Sequence, residues 1–245
     1  MRSKFLPRKL ARLFGSAVDH FHSARADNHP SWASHLEQIK IFSAVQRIAT
    51  EDSARYIYEN ISDAMIFSNR EALWDFVLSR QMVDGLIAEF GVSEGESINY
   101  FAARMKNRTI YGFDSFDGLK EAWSGTPIKA GHFSRGGNPP AVASNVKLVV
   151  GWFDDTVPVF FQQHNQDFAL IHVDCDTYQS AKTVLGLAAD RIAAGTIIIF
   201  DEYLNYPGWR HGERKAWSEF VEIRKIRYRY IAFSQAQAAV EILVD

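Results

Sequence analysis

The run Gly85-Leu86-Ile87-Ala88-Glu89-Phe90-Gly91-Val92-Ser93-Glu94-Gly95-Glu96-Ser97 decides the fold. Apolar residues lead to an acid, two glycines turn the chain, and Ser97-Ile98-Asn99-Tyr100-Phe101-Ala102 opens a helix. This is the pattern of a buried parallel strand, a tight turn and a helix start. The glycines permit a backbone path that a Cβ would obstruct, so a ligand can come close. The helix start then presents free N–H groups and the positive end of its dipole to an anion. The frame is E-x-G-x-x-x-G, not the G-x-G-x-x-G of dinucleotide-binding turns.

Working outward, Arg108-Thr109-Ile110-Tyr111-Gly112-Phe113-Asp114-Ser115 reads as a second strand ending in an acid. A carboxylate there can accept both ribose hydroxyl protons, as in nucleoside-binding α/β folds. Residues 119–144 are rich in glycine and proline and read as loop. Asn138-Pro139-Pro140 lies within it, in a loop expected to border the bound substrate. A third strand covers Val146 to Val150, followed by Trp152 and Phe153. An aromatic face there can stack on adenine, and the alternative is packing beneath the next helix.

The fourth strand, Phe168 to Val173, runs into Asp174-Cys175-Asp176, and the fifth, Thr196 to Phe200, into Asp201-Glu202. Ligands of open parallel sheets bind at the carboxyl ends of strands, beside the switch in strand order. Asp174, Asp201 and Glu202 would converge there, and carboxylates so close require a cation or a shared proton. Oxygen ligands of this kind suit Mg²⁺. Two further apolar strands, 226–233 and 239–244, close the chain as an antiparallel hairpin. The expected fold is α/β and doubly wound, with a mostly parallel seven-stranded sheet.

Ahead of the first strand, residues from about 31 to 81 contain no proline or glycine and carry helical stripes. Ile39, Ile41, Phe42, Val45 and Ile48 form one, and Tyr56, Ile57, Ile61, Met65 and Ile66 the next. These helices are expected to cover the sheet, with Phe67-Ser68-Asn69-Arg70 as a polar lid. Before them, Arg2, Lys4, Arg8, Lys9 and Arg12 interleave with apolar residues. Such a basic amphipathic arm suits a surface helix, a membrane-touching segment or a transit peptide. The expected division is an arm over 1–30, a helical cap over 31–82 and a core over 83–245.

Composition narrows the function. A net charge of −2 argues against nucleic acid as main partner. A single cysteine, Cys175, excludes an internal disulfide and a thiolate zinc cluster, and fits a cytoplasmic setting. No apolar run reaches the ~18 residues of a membrane span. The oligomeric state stays open, with a homo-oligomer among the options.

With these residues collected, the chain resembles the class I S-adenosylmethionine (SAM) methyltransferases, and among them the macrocin/novobiocin-type sugar O-methyltransferases. The motifs that carry the resemblance are Tyr111-Gly112-Phe113-Asp114-Ser115-Phe116, His172-Val173-Asp174-Cys175-Asp176-Thr177-Tyr178 and Phe200-Asp201-Glu202-Tyr203. It implies a Rossmann-like core and a cofactor pocket formed by Glu89, Gly91, Gly95, Ser97, Asp114, Ser115, Trp152, Phe153 and Asp174. Ser97 would meet the methionine carboxylate. It further implies Mg²⁺ on Asp174, Asp201 and Glu202, and Asp176 as general base. Thr177 stands where the catechol branch has a lysine, so that base is missing. His211, in the polar stretch Asn205 to Glu213, is a second base candidate, or else a solvated loop histidine. The acceptor would be a sugar hydroxyl on a small molecule or glycan. A catechol-like acceptor, a silent SAM-binding protein and a metal-dependent hydrolase are the alternatives, and the hydrolase leaves the glycine turn and Asp114 unexplained.

Overall fold

The computed structural model describes residues 32–244, with side chains from residue 40 onward, so the basic arm expected over 1–30 lies outside the described residues. In chain order the elements are α1 (Trp32–Asn60), β1 (Met65–Ile66), α2 (Arg70–Ser79), β2 (Leu86–Phe90), α3 (Glu96–Arg104), β3 (Ile110–Asp114), β4 (Val146–Val150), α4 (Phe153–Gln163), β5 (Phe168–Val173), α5 (Tyr178–Ala188), β6 (Ile197–Phe200), α6 (Glu213–Arg224), β7 (Tyr228–Phe233) and β8 (Ala238–Ile242). No described helix is long and apolar enough to cross a membrane.

The strands form one sheet in the order β1-β7-β8-β6-β5-β2-β3-β4. Strands β6, β5, β2, β3 and β4 run parallel, β8 is antiparallel to both β6 and β7, and β1 runs parallel to β7. The chain goes from β2 outward to β3 and β4, then crosses back to β5 on the other side of β2. That reversal puts a crevice at the carboxyl ends of β2 and β5, where ligands of such sheets bind.

The sheet has eight strands rather than the expected seven. The eighth is Met65–Ile66, read above as part of a helical stripe, and both side chains are exposed at the sheet edge. The main chain continues this edge ladder, with Phe67 N–H donating to the Phe233 carbonyl at 2.9 Å.

The central parallel strands β2, β5 and β6 are buried on both faces, which explains their continuous apolar runs. On one face Leu86, Ala88, Phe90, Ile171, Ile198 and Phe200 pack against α4, α5 and α6. On the other, Ile87, Leu170, Ile197 and Ile199 meet Leu73, Trp74 and Val77 of α2 and Ile98 and Phe101 of α3. The apolar stripe expected to bury the start of α1 behaves otherwise: Ile41, Phe42, Val45 and Ile48 are all exposed. Burial in α1 begins further along, with Ala49, Ser53 and Tyr56. What docks this helix is largely polar. Gln46 Nε2 donates to the Asn205 carbonyl (2.9 Å), Thr50 Oγ1 to Asn205 Oδ1 (2.7 Å), and Asn205 N–H to Ser53 Oγ (2.9 Å).

Candidate active site

The turn after β2 brings its glycines into left-handed backbone, φ +96° at Gly91 and +81° at Gly95. A Cβ on Gly91 would fall 1.8 Å from the Asp174 carbonyl oxygen, so this residue is where β2 and β5 hand their loops to each other. Gly91→Ala combines that clash with a disfavoured φ. We expect a loss of at least about 1–3 kcal/mol, the scale of backbone strain, read as a lower midpoint in denaturant. An unchanged midpoint would show that the two loops can move apart.

Asp114, at the end of β3, holds this turn. Its Oδ2 accepts the N–H groups of Val92 and Ser93 (both 2.8 Å), and Oδ1 accepts that of Phe116 (2.8 Å). A carboxylate offers about four lone-pair sites. Three are taken, which leaves room for one ribose hydroxyl rather than the expected two. Asp114 lines a cavity of about 360 Å³ together with Gly91, Ser115, Trp152, Phe153, Asp174 and Asp176. Six of the residues expected to hold the cofactor thus line one cavity. Phe153 also packs edge-on against Phe90 at 5.7 Å, so it belongs to the core as well. Trp152 carries the Lys120 ammonium 4.8 Å from its ring centroid.

A second cavity, of about 510 Å³, shares Ser93, Phe133 and Asp174 with the first and is further lined by Arg70, Glu96, Ser97 and Arg135. Ser97 does not behave as expected. Its Oγ donates to Glu89 Oε1 at 3.0 Å within the core, so the hydroxyl is turned inward. Glu89 is fully buried, and its other oxygen lies 2.9 Å from His172 Nδ1. His172 Nε2 is 3.5 Å from Asp201 Oδ1, which also accepts from Gln237 Nε2. Burial opposes a charge on His172, but its interactions with Asp201 and Glu89 outweigh that and lift its pKa to about 10. Its Nδ1 is hydrogen-bonded to Glu89, while Nε2 points toward Asp201 without a hydrogen bond of its own.

The acids sort by sheet face. Alternation along a strand is two-fold, so Asp201 continues the face of Ile197 and Ile199 while Glu202 continues that of Ile198 and Phe200. One group of closely spaced ligand atoms is therefore His172, Asp174 and Asp201, and another is Asp174, Asp176 and Glu202, each within 4.8 Å of one another. The expected trio Asp174, Asp201 and Glu202 is not a single group, and Asp174 is the acid common to both. Asp176 reaches its place by an unusual route. Thr177 N–H donates to the Cys175 carbonyl (2.7 Å), closing a three-residue turn with Asp176 at its centre and φ +64°. The Asp174–Asp176 pairing thus comes from a tight turn, not from an extended segment. Nor does Asp176 cap α5, because Thr177 Oγ1 accepts from Ser180 N–H instead.

Behind Glu202 stands Glu213, the first residue of α6, whose Oε2 accepts the Glu202 N–H at 3.1 Å. Sequence reasoning missed it, since it follows a glycine-containing polar stretch that reads as surface. Burial pushes both glutamates well above the usual carboxylate range, and the neighbouring Asp201, Asp174 and Asp176 add to the effect. Burial likewise raises the Cys175 thiol, which makes it a poor nucleophile. The Asp201 side of the cluster has Arg70 as a counter-charge. Around Glu202 the leading charges are all negative. Its Oε2 is buried with no hydrogen-bond partner among the described residues. An oxygen-only set of this kind fits a hard divalent cation.

One expected contributor, His211, is not brought in. It ends a short 3₁₀ turn, is exposed, and lines neither cavity. The Arg210 guanidinium is tied to Asp52 by two hydrogen bonds of 2.6 and 2.8 Å and lies over Trp209.

Residues 88–203 match a family model described as a methyltransferase domain. That stretch contains the glycine turn, Asp114 and the acids from Asp174 to Glu202. Among solved structures, the chain is similar to one titled CalS11, calicheamicin methyltransferase, at 23% identity and TM-score 0.56, covering 89% of this chain and 99% of that one. It is also similar to the O-methyltransferase NovP, at 18% identity and TM-score 0.53, over 82% and 99% of the two chains. An apo structure titled CalS11, TDP-rhamnose 3'-O-methyltransferase, aligns at 24% identity and TM-score 0.50, over 88% and 96%. No curated protein matches. The likeness establishes the fold.

Proposed function

We propose that this protein is a SAM-dependent O-methyltransferase that methylates a sugar hydroxyl with the help of Mg²⁺. The observation that carries the reading is the meeting of two features at one crevice. A glycine turn braced by Asp114 faces the acids Asp174, Asp176 and Glu202 across the carboxyl ends of β2 and β5. The sugar acceptor draws support from the structural likeness to an enzyme titled TDP-rhamnose 3'-O-methyltransferase.

In this reading Asp114, Ser115 and Trp152 receive the adenosine in the first cavity, and the methionyl part extends along the Gly91–Ser97 turn. Asp174 and Glu202, whose carboxylate oxygens lie within 4.8 Å of each other, would hold the cation. When bound, SAM supplies an electrophilic methyl group and Mg²⁺ lowers the pKa of a nearby hydroxyl. Asp176 takes the proton from the acceptor hydroxyl as its oxygen attacks. Gln237 holds Asp201, while Glu213 holds the main chain of Glu202. Fixed positions matter because the attacking oxygen, the methyl carbon and the departing sulfur must lie in line.

Thermal-shift measurements with SAM, S-adenosylhomocysteine, NAD⁺ and Mg²⁺ test the reading. Stabilisation by the first two but not by NAD⁺ is expected, and stabilisation by NAD⁺ alone would overturn it. Asp114→Ala should weaken S-adenosylhomocysteine by more than about 1 kcal/mol, the scale of a lost hydrogen bond to a charged group. It should also lower the melting temperature, because the Val92 and Ser93 N–H groups lose their acceptor. Unchanged affinity by calorimetry would remove Asp114 from the site.

A further inference from the structure

We infer that Arg70 is the cofactor's carboxylate anchor, binding the α-carboxylate of the methionyl group in the second cavity. The inference rests on the cofactor reading above and deepens it. A methionyl tail laid along the Gly91–Ser97 turn ends in a carboxylate that needs a partner. Ser97 is unsuited, since its hydroxyl is committed to Glu89 inside the core. The α3 N-terminus offers main-chain N–H groups, but its first side chain is an acid, Glu96, which repels an anion.

Arg70 fills the gap. It opens α2, and its side chain is only 11% exposed while still lining the second cavity beside Ser93, Ser97 and Asp174. The guanidinium sits 4.9 Å from the centroid of the buried Trp74 ring, which fixes its plane. Its present partners are replaceable. Nη2 meets Glu96 Oε2 at 3.0 Å, and Nε lies 3.5 Å from Glu71 Oε1, both on side chains more than a third exposed. The Glu96 side chain is 52% exposed and can turn out into water, so an incoming carboxylate can take its place on Arg70. A guanidinium presents two parallel donors that match a carboxylate, which an ammonium cannot do. Arg135, the other arginine of this cavity, already donates from Nε to the Asn138 carbonyl at 3.0 Å.

The test compares two nucleosides on the full chain by calorimetry. S-adenosylhomocysteine carries the amino-acid carboxylate, and 5'-methylthioadenosine lacks it. Arg70→Ala should weaken S-adenosylhomocysteine by about 10–100-fold, the range of a charge-assisted bond. 5'-Methylthioadenosine should bind within about twofold of the unsubstituted chain, which also reports that the variant is folded. Arg70→Lys should recover only part of the loss. Equal loss for both ligands, no loss for either, or a selective loss in Arg135→Ala instead would each overturn the assignment. If the unsubstituted chain binds neither nucleoside, the cofactor reading itself fails, and this assignment with it.

Discussion

Asp176→Asn lowers kcat by about 10²–10⁴-fold, the usual range for loss of a general base, while S-adenosylhomocysteine affinity stays nearly unchanged. The substitution keeps size and shape and removes the basic oxygen. It also respects the backbone. Asp176 sits at φ +64° in a closed three-residue turn, and asparagine is among the few residues that tolerate left-handed conformation. A fall in kcat therefore reports chemistry and not a collapsed turn. The measurement needs a sugar acceptor and initial rates with both substrates saturating. A near-normal kcat would refute the base role and leave Asp174 as the candidate beside the cation. His211 would not inherit the role, since it is exposed and away from both cavities.

The second large effect falls on Asp174, the acid common to both ligand groups. Asp174→Asn should weaken Mg²⁺ or Mn²⁺ binding by more than the roughly 10–100-fold typical of outer-shell partners of a metal. Turnover should be lost with it. The cation is followed directly by calorimetry, or by the Mn²⁺ resonance signal, so the result does not depend on knowing the acceptor. EDTA should abolish turnover in the unsubstituted enzyme and Mg²⁺ restore it, with cofactor binding largely intact. Full activity after chelation, with residual metal excluded by elemental analysis, would remove the cation from the reaction.

The parallel core was legible because its strands are apolar throughout and each is punctuated by an acid or a glycine. Gly91, Asp114, Asp174 and Glu202 stood at strand ends, where topology alone places a crevice. What could not be read was direction. Asp201 and Glu202 are adjacent in sequence yet face opposite sides of the sheet, and that depends on which layer each strand face meets. Ser97 read as a ligand because its inward partner, Glu89, is eight positions away on another element. Arg70 read only as part of a lid, since its value comes from Trp74 beneath it and Asp174 across from it. The start of α1 misled in the opposite sense. Its apolar spacing is helical, but Ile41, Phe42, Val45 and Ile48 find nothing to cover them among the described residues. Met65–Ile66 is too short a strand to show a period.

The buried pair Glu89–His172 has a consequence for how the chain finds its native pairing. The two residues stand opposite each other in the ladder between β2 and β5, in strands otherwise made almost wholly of interchangeable aliphatic groups. Apolar side chains alone discriminate poorly between alignments of such strands. A slip of one residue would turn Glu89 and His172 to opposite faces and leave two polar side chains unpaired in hydrocarbon, which is far costlier than a misplaced methyl. The pair therefore acts as a keyed joint at the centre of the sheet. Gly91 and Asp174 each follow their key residue by two positions, so the same joint that selects one alignment also sets the phase between the loop that cradles the nucleoside and the loop that carries the acids.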